Sequence, residues 1–203
     1  MISGNHTSGV DVVHPFVAEG SAVVVPVDYR PAPEHPDPAP IEDCCTGLVW
    51  TAKNAAELGI GPERLLVVGS SAGGGLAAGT ALMARDRAFP TLSHQVLICP
   101  MLDDRFGWTA LLGERRGGPD VSPYAAPARA EDLSGLPRTY IDAGSVESFR
   151  DEVLVYARRL SEAGVKRRPA HVGRRLPRVR QGGPPRRDLT SLQRDPRRGA
   201  LEI

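Results

Sequence analysis

The chain has 203 residues, with 25 Lys and Arg against 24 Asp and Glu and a net charge of +1, which suits one domain with a single core. No apolar run approaches the roughly 18 residues of a membrane-spanning helix, and the first residues lack the basic-then-apolar pattern of a leader, so a cytoplasmic protein with no membrane partner is expected. Cys44, Cys45 and Cys99 form neither an even-numbered disulfide framework nor two paired ligand sets, which argues against a structural metal.

The charge is divided unevenly. Residues 1–165 hold 13 basic and 21 acidic side chains, a net −8, whereas 166–203 hold 12 and 3, a net +9. This last stretch is rich in Arg, Pro and Gly and contains no aromatic residue. It lacks the apolar area to build a core, so residues 1–165 are expected to fold and 166–203 to form a disordered tail. Without aromatic side chains to stack on bases or a preceding binding module, the tail is not expected to bind nucleic acid.

Along the folded part, short β-branched runs alternate with helical stretches, which predicts an α/β fold: a mostly parallel sheet with helices on both faces. The first strand is expected over Ala22 to Asp28. Pro40 then opens a helix with Ile41, Cys44, Cys45, Leu48, Ala52 and Ala55 at helical spacing, closed by Gly59 and Pro62. A second strand runs from Leu65 to Gly69 and a second helix from about Ala72 to Arg85. Further strands are expected over Gln95 to Cys99 and Thr139 to Asp142, each apolar enough for burial on both sides. Between these two strands, residues 101–137 read as loop. Ser148 can cap a last helix with Val153, Tyr156, Ala157 and Leu160 on one face and Gly164 beyond its end.

The junction Leu65-Leu66-Val67-Val68-Gly69-Ser70-Ser71-Ala72-Gly73-Gly74-Gly75 passes straight from strand to helix and contains G-x-S-x-G centred on Ser71. A side chain on so tight a turn is strained, and the spacing predicts that Gly69 and Gly73 are small to avoid colliding with it. Ser71 would then project above the sheet as a nucleophile. The following helix would aim the Ala72 N–H at the oxyanion formed when Ser71 attacks a carbonyl. A dinucleotide loop competes, since Gly69, Gly73 and Gly75 also fit G-x-x-x-G-x-G. A short-chain dehydrogenase would place that loop after its first strand and use a Tyr with Lys four residues on. One strand is expected before this loop, and Tyr29, Tyr124, Tyr140 and Tyr156 all lack that Lys.

These residues resemble the hormone-sensitive-lipase-like branch of the α/β-hydrolase superfamily, the bacterial carboxylesterases and acetyl hydrolases. Asp28-Tyr29-Arg30-Pro31-Ala32-Pro33-Glu34-His35-Pro36 is similar to its D-Y-R-L-A-P-E-H-P block, Gly69 to Gly74 to its G-x-S-A-G-G elbow, and Gly144 to Glu152 to the segment bearing its acid. The resemblance implies an α/β-hydrolase fold, an ester substrate, no cofactor, and Ser71, Glu147, Ala72, Gly69, Gly73 and Gly74 as the site. Asp151 is the alternative acid and Asp142 reads as structural. In the first block, Arg30 and Glu34 are expected to pair.

The resemblance also has gaps. Met1 to Asn5 is similar to the stretch immediately after the family's H-G-G-G, so the second oxyanion donor is expected to be missing, and an uncovered Ala22 to Asp28 edge would invite aggregation. The only histidine after Glu147 is His171, which falls where the family has its last strand. Leu176 to Arg180 can be encoded so that the next reading frame gives Phe-His-Gly-Phe, the family's histidine motif, which suggests a frameshift near Val172. The sequence therefore points to a serine ester hydrolase impaired in this chain, or else to an inactive remnant with a binding role.

Overall fold

The computed structural model describes residues 2, 5, 7, 9–105 and 108–166, with residue 12 and residues 171–173 described by backbone alone. In chain order the elements are α1 (His14–Ala18), α2 (Ala39–Lys53), β1 (Leu66–Ser70), α3 (Ala72–Asp86), β2 (His94–Ile98), α4 (Thr109–Leu112), β3 (Arg138–Gly144), α5 (Arg150–Glu162) and β4 (His171–Gly173). The four strands lie side by side in that order and all are parallel. Among the described residues, no helix is long and apolar enough to cross a membrane.

Register explains where the core forms. Val67, Gln95 and Thr139 stand in one row, and Gly69, Leu97 and Ile141 in the next row of the same face. Leu97 and Ile141, both 0 % exposed, pack there against Ala78 and Leu82 of α3 and Val153, Tyr156 and Leu160 of α5. The other face carries Val68, Val96 and Tyr140, and Val68 is 40 % exposed. The apolar run of β1 is thus half-buried at Val67 and Gly69 on one face while Val68 is exposed on the other, although its composition predicts burial on both.

Helix α3 comes unusually close to its neighbours because its inner positions are small. A Cβ on Gly75 would strike the Met101 carbonyl oxygen, and one on Gly79 would strike that of Tyr124. Helix α2 packs on α3 through Ile41, Cys45, Leu76 and Met83, and Arg87 at the end of α3 reaches Glu42 of α2 at 2.9 Å.

Four expectations are corrected here. Residues 22–28 form no regular element and belong to no strand. A ladder needs a partner edge, and no described strand lies alongside; Pro26 also removes one of the donors. Val27 instead meets α2, where a Cβ on Gly47 would lie 2.7 Å from Val27 Cγ2. Helix α2 stops at Lys53, short of Gly59, because the Asn54 side-chain amide donates to the Trp50 carbonyl at 2.7 Å and turns replace the ladder beyond it. At α5 the cap is Phe149, with no side-chain cap bond. Ser148 stays exposed because the turn closes one residue later, through Arg150 N–H to the Glu147 carbonyl at 3.2 Å. The buried positions of α5 are the expected ones, with Val153, Tyr156 and Leu160 at 0 % exposure. Beyond them the ladder carries the sheet to Gly173, past the expected end of the core at residue 165. The rest of the expected tail, 174–203, lies outside the described residues.

Arg30 pairs with Asp43, not with Glu34. Its backbone N–H, Nε and Nη2 reach the Asp43 carboxylate at 2.9, 2.9 and 2.8 Å, a bidentate fork plus a main-chain donor that a Glu34 exposed in the next turn does not match. The Arg30 hydrogen bonds hold the Asp43 carboxyl below its ordinary value of 3.8. A depressed carboxyl stabilises the fold above its unfolded-state value and loses that contribution as pH falls through the folded value. Asp43→Asn should therefore lower Tm at pH 7, with the gap to wild type narrowing as pH falls below the ordinary carboxyl value of 3.8, measured by thermal melts across pH.

Among the described residues the buried Tyr156 hydroxyl has no hydrogen-bond partner, and burial pushes its phenol well above the ordinary range. Removing an unsatisfied buried polar atom while keeping its ring relieves a desolvation penalty. Tyr156→Phe should leave the urea midpoint unchanged or raise it, whereas a fall of more than about 1 kcal/mol would contradict this reading.

Candidate active site

Parallel strands bring their carboxyl ends to one rim, and the chain leaves that rim at Ser71, Cys99 and the 145–149 turn. Ser71 lies between the last residue of β1 and the first of α3, with φ 55° and ψ −120°. This is the left-handed region that non-glycine residues rarely adopt. Three main-chain bonds hold it there. Ser71 N–H donates to the Ile98 carbonyl at 2.9 Å, and its own carbonyl accepts from Met101 N–H at 3.0 Å and Gly75 N–H at 3.2 Å. Its side chain makes no cap bond to α3 and the residue is exposed, so the helix leaves the hydroxyl uncommitted. Ala72 opens the 15-residue α3, where the first N–H groups have no partner within the helix and carry the positive end of its dipole.

The glycines do different work from the expected one. A Cβ on Gly69 would strike the Gly73 carbonyl, so Gly69 is the residue that allows the turn to close. A Cβ on Gly73 would meet nothing within 4 Å, which corrects the expectation that both flanking positions must be bare. Gly74 has a packing reason of its own: its Cβ would lie 2.8 Å from Pro100 Cβ.

On the acid side, Glu147 is half-buried in the turn after β3. Its N–H donates to the Gly144 carbonyl at 3.1 Å, and Arg150 Nη1 donates to the Ser145 carbonyl at 3.0 Å within the same turn. With strands about 4.8 Å apart, β1 and β3 stand about 10 Å apart across β2, room for an imidazole between a hydroxyl and a carboxylate. Asp151 points away, its side chain 82 % exposed and paired with Arg150 at 2.8 Å. Asp142 is held within the sheet, where Oδ1 accepts from Cys99 N–H at 3.0 Å and Oδ2 from the Tyr140 hydroxyl at 3.1 Å. His171 pairs with Asp142 in the β3–β4 ladder, and the described residues bring no histidine side chain to Ser71 and Glu147.

Cys99, with φ 45°, comes directly after β2. Its thiol is 3.8 Å from Asp142 Oδ1, and burial, then the Asp142 and Glu147 carboxylates, push it up to about 12. Burial likewise pushes Cys44 to about 12. A thiol pushed that high favours its protonated form at neutral pH, which is a poor nucleophile. Sequence reasoning passed over Met101, which braces the elbow, because a main-chain bond leaves no mark in residue identity. It also passed over Glu152, whose signal was present: an acid beside Val153 at the edge of the apolar face of α5.

The sequence matches the α/β hydrolase fold family over residues 1–115 and 105–172. It is 41 % identical to carboxylesterase NlhH of Mycobacterium tuberculosis over 167 residues, covering 71 % of this chain and 52 % of that protein. An arylesterase of Saccharolobus solfataricus is 35 % identical, covering 70 % of this chain and 53 % of that one. Among solved structures, a bacterial heroin esterase superposes with a TM-score of 0.73 at 40 % identity, covering 82 % of this chain and 60 % of that one. An esterase of Pyrobaculum calidifontis superposes with a TM-score of 0.77 at 33 % identity, covering 84 % and 62 %. The chain belongs to the α/β-hydrolase family, in its hormone-sensitive-lipase-like esterase branch. It spans about half the length of the curated relatives it matches. With residues 22–28 outside the ladder, the dinucleotide alternative can no longer be rejected on strand order; the family match decides against it.

The two elbow glycines give a paired test. Gly69→Ala should lower the unfolding free energy by about 2 kcal/mol or more through overpacking against Gly73, while Gly73→Ala should change it by less than about 0.5 kcal/mol. Equal losses in urea titrations would contradict the assignment.

Proposed function

We propose that this protein is a serine-dependent carboxylic ester hydrolase acting on small-molecule esters. The observation that supports it most is the backbone of Ser71, strained, braced on three sides and placed at the mouth of α3. In this reading the Ser71 hydroxyl attacks the ester carbonyl while an imidazole takes its proton. The Ala72 N–H donates to the oxyanion and Glu147 orients the imidazole and stabilises its charged form; the imidazolium gives its proton to the departing alcohol as the ester C–O bond breaks, and water, deprotonated by the same imidazole, then releases the acid from the acyl-enzyme and restores the Ser71 hydroxyl. These steps call for neither metal nor cofactor. The esterase names of the relatives support the substrate class.

A second reading, a slow or inactive hydrolase that keeps a binding role, is favoured by the position of His171. It follows Glu147 in the chain, and its backbone lies in the β4 ladder, not in a rim loop. Loss of a triad base costs on the order of 10⁴ to 10⁶ in rate. Hydrolysis of p-nitrophenyl acetate separates the two. Under the first reading the wild-type rate exceeds that of Ser71→Ala by about 10³-fold or more, and under the second the two rates coincide near the uncatalysed value.

A further inference from the structure

Glu152 stands where an acid is unfavourable. It is half-buried at the edge of the apolar face of α5, preceding Val153 and one turn before Tyr156, both 0 % exposed. A carboxylate is retained in such a place only with its oxygens satisfied. Its Oε1 accepts from Leu102 N–H at 2.7 Å and from Asp103 N–H at 3.4 Å. Burial pushes its carboxyl up and these two N–H groups draw it back, with Asp103 and Arg105 as the nearby charges.

The loop it grips is the one that braces the nucleophile. Met101 N–H donates to the Ser71 carbonyl at 3.0 Å, and the Leu102 carbonyl accepts from Ala128 N–H at 3.0 Å. Consecutive amides of one loop therefore bind the elbow on one side and Glu152 on the other. Glu152 is five residues beyond Glu147, in the first turn of α5, so the tie runs from the elbow through two adjacent peptide groups to the helix that carries the acid turn.

We propose that Glu152 is a positioning residue that fixes the spacing between the Ser71 elbow and the Glu147 turn by clamping the 101–103 loop to α5. This rests on the serine-hydrolase reading above. Reacting groups displaced by about 1 Å lose on the order of 10²-fold in rate, so a partial loosening shows in kcat more than in KM.

The test compares p-nitrophenyl acetate hydrolysis by the full chain as wild type, Glu152→Ala, Glu152→Asp, Glu152→Gln and Ser71→Ala. Glu152→Ala and Glu152→Asp should lower kcat about tenfold or more with KM changed less than about twofold. Glu152→Gln, which keeps an oxygen for the Leu102 N–H, should stay within about threefold of wild type. Hydrogen exchange at the Leu102 amide should quicken in the Ala and Asp variants and not in Gln. If Glu152→Ala fails to fold, the Asp variant carries the same expectation. Wild-type kcat in the Ala or Asp variant alongside a dead Ser71→Ala overturns the positioning role alone, as does a Gln variant as impaired as Asp. Equal rates for wild type and Ser71→Ala overturn the nucleophile and the positioning role together.

Discussion

The site depends on one strained residue being held from several directions. A non-glycine residue at φ 55° carries an energy of order 1–3 kcal/mol that its surroundings must offset. The offset is local and main-chain: β2 supplies an acceptor at Ile98, the loop after it a donor at Met101, and α3 a donor at Gly75. Gly75 is local, but Ile98 and Met101 belong to one distant segment, so the Ser71 conformation forms only when β1, β2 and α3 are assembled together. Gly69 makes the closure possible by leaving the space that the Gly73 carbonyl fills.

The same close approach runs along α3. Gly74, Gly75 and Gly79 each face atoms that a methyl group would hit, so the helix that points its amides at the site also presses onto the loops forming its rim. Glycine in a helix interior costs about 1 kcal/mol relative to alanine, and contact with Pro100, Met101 and Tyr124 is what it permits here.

Features set by local periodicity could be read directly from the sequence. The elbow, the start of α3 and the buried face of α5 follow from G-x-S-x-G and from apolar residues at helical spacing, and β1, β2 and β3 fall within two residues of their expected bounds. Features set by distant partners could not. Residues 22–28 have strand composition, but pairing is a property of two segments. Arg30 had two acids within reach, and only the fold brings Asp43 to its backbone N–H as well as its side chain. The 145–149 turn was legible through family resemblance alone, since a loop carboxylate such as Glu147 carries no periodic signal.

The strands stand in space in the order in which they occur along the chain, β1 beside β2 beside β3 beside β4. Each new strand therefore joins the outer edge of those already made, without inserting between two earlier ones. A nascent polypeptide leaving the ribosome can lay down this sheet progressively, with α3 in place over β1 before β3 has been translated. Ser71 can thus reach its braced conformation once residues up to Met101 have emerged, well before the turn bearing Glu147 is synthesised.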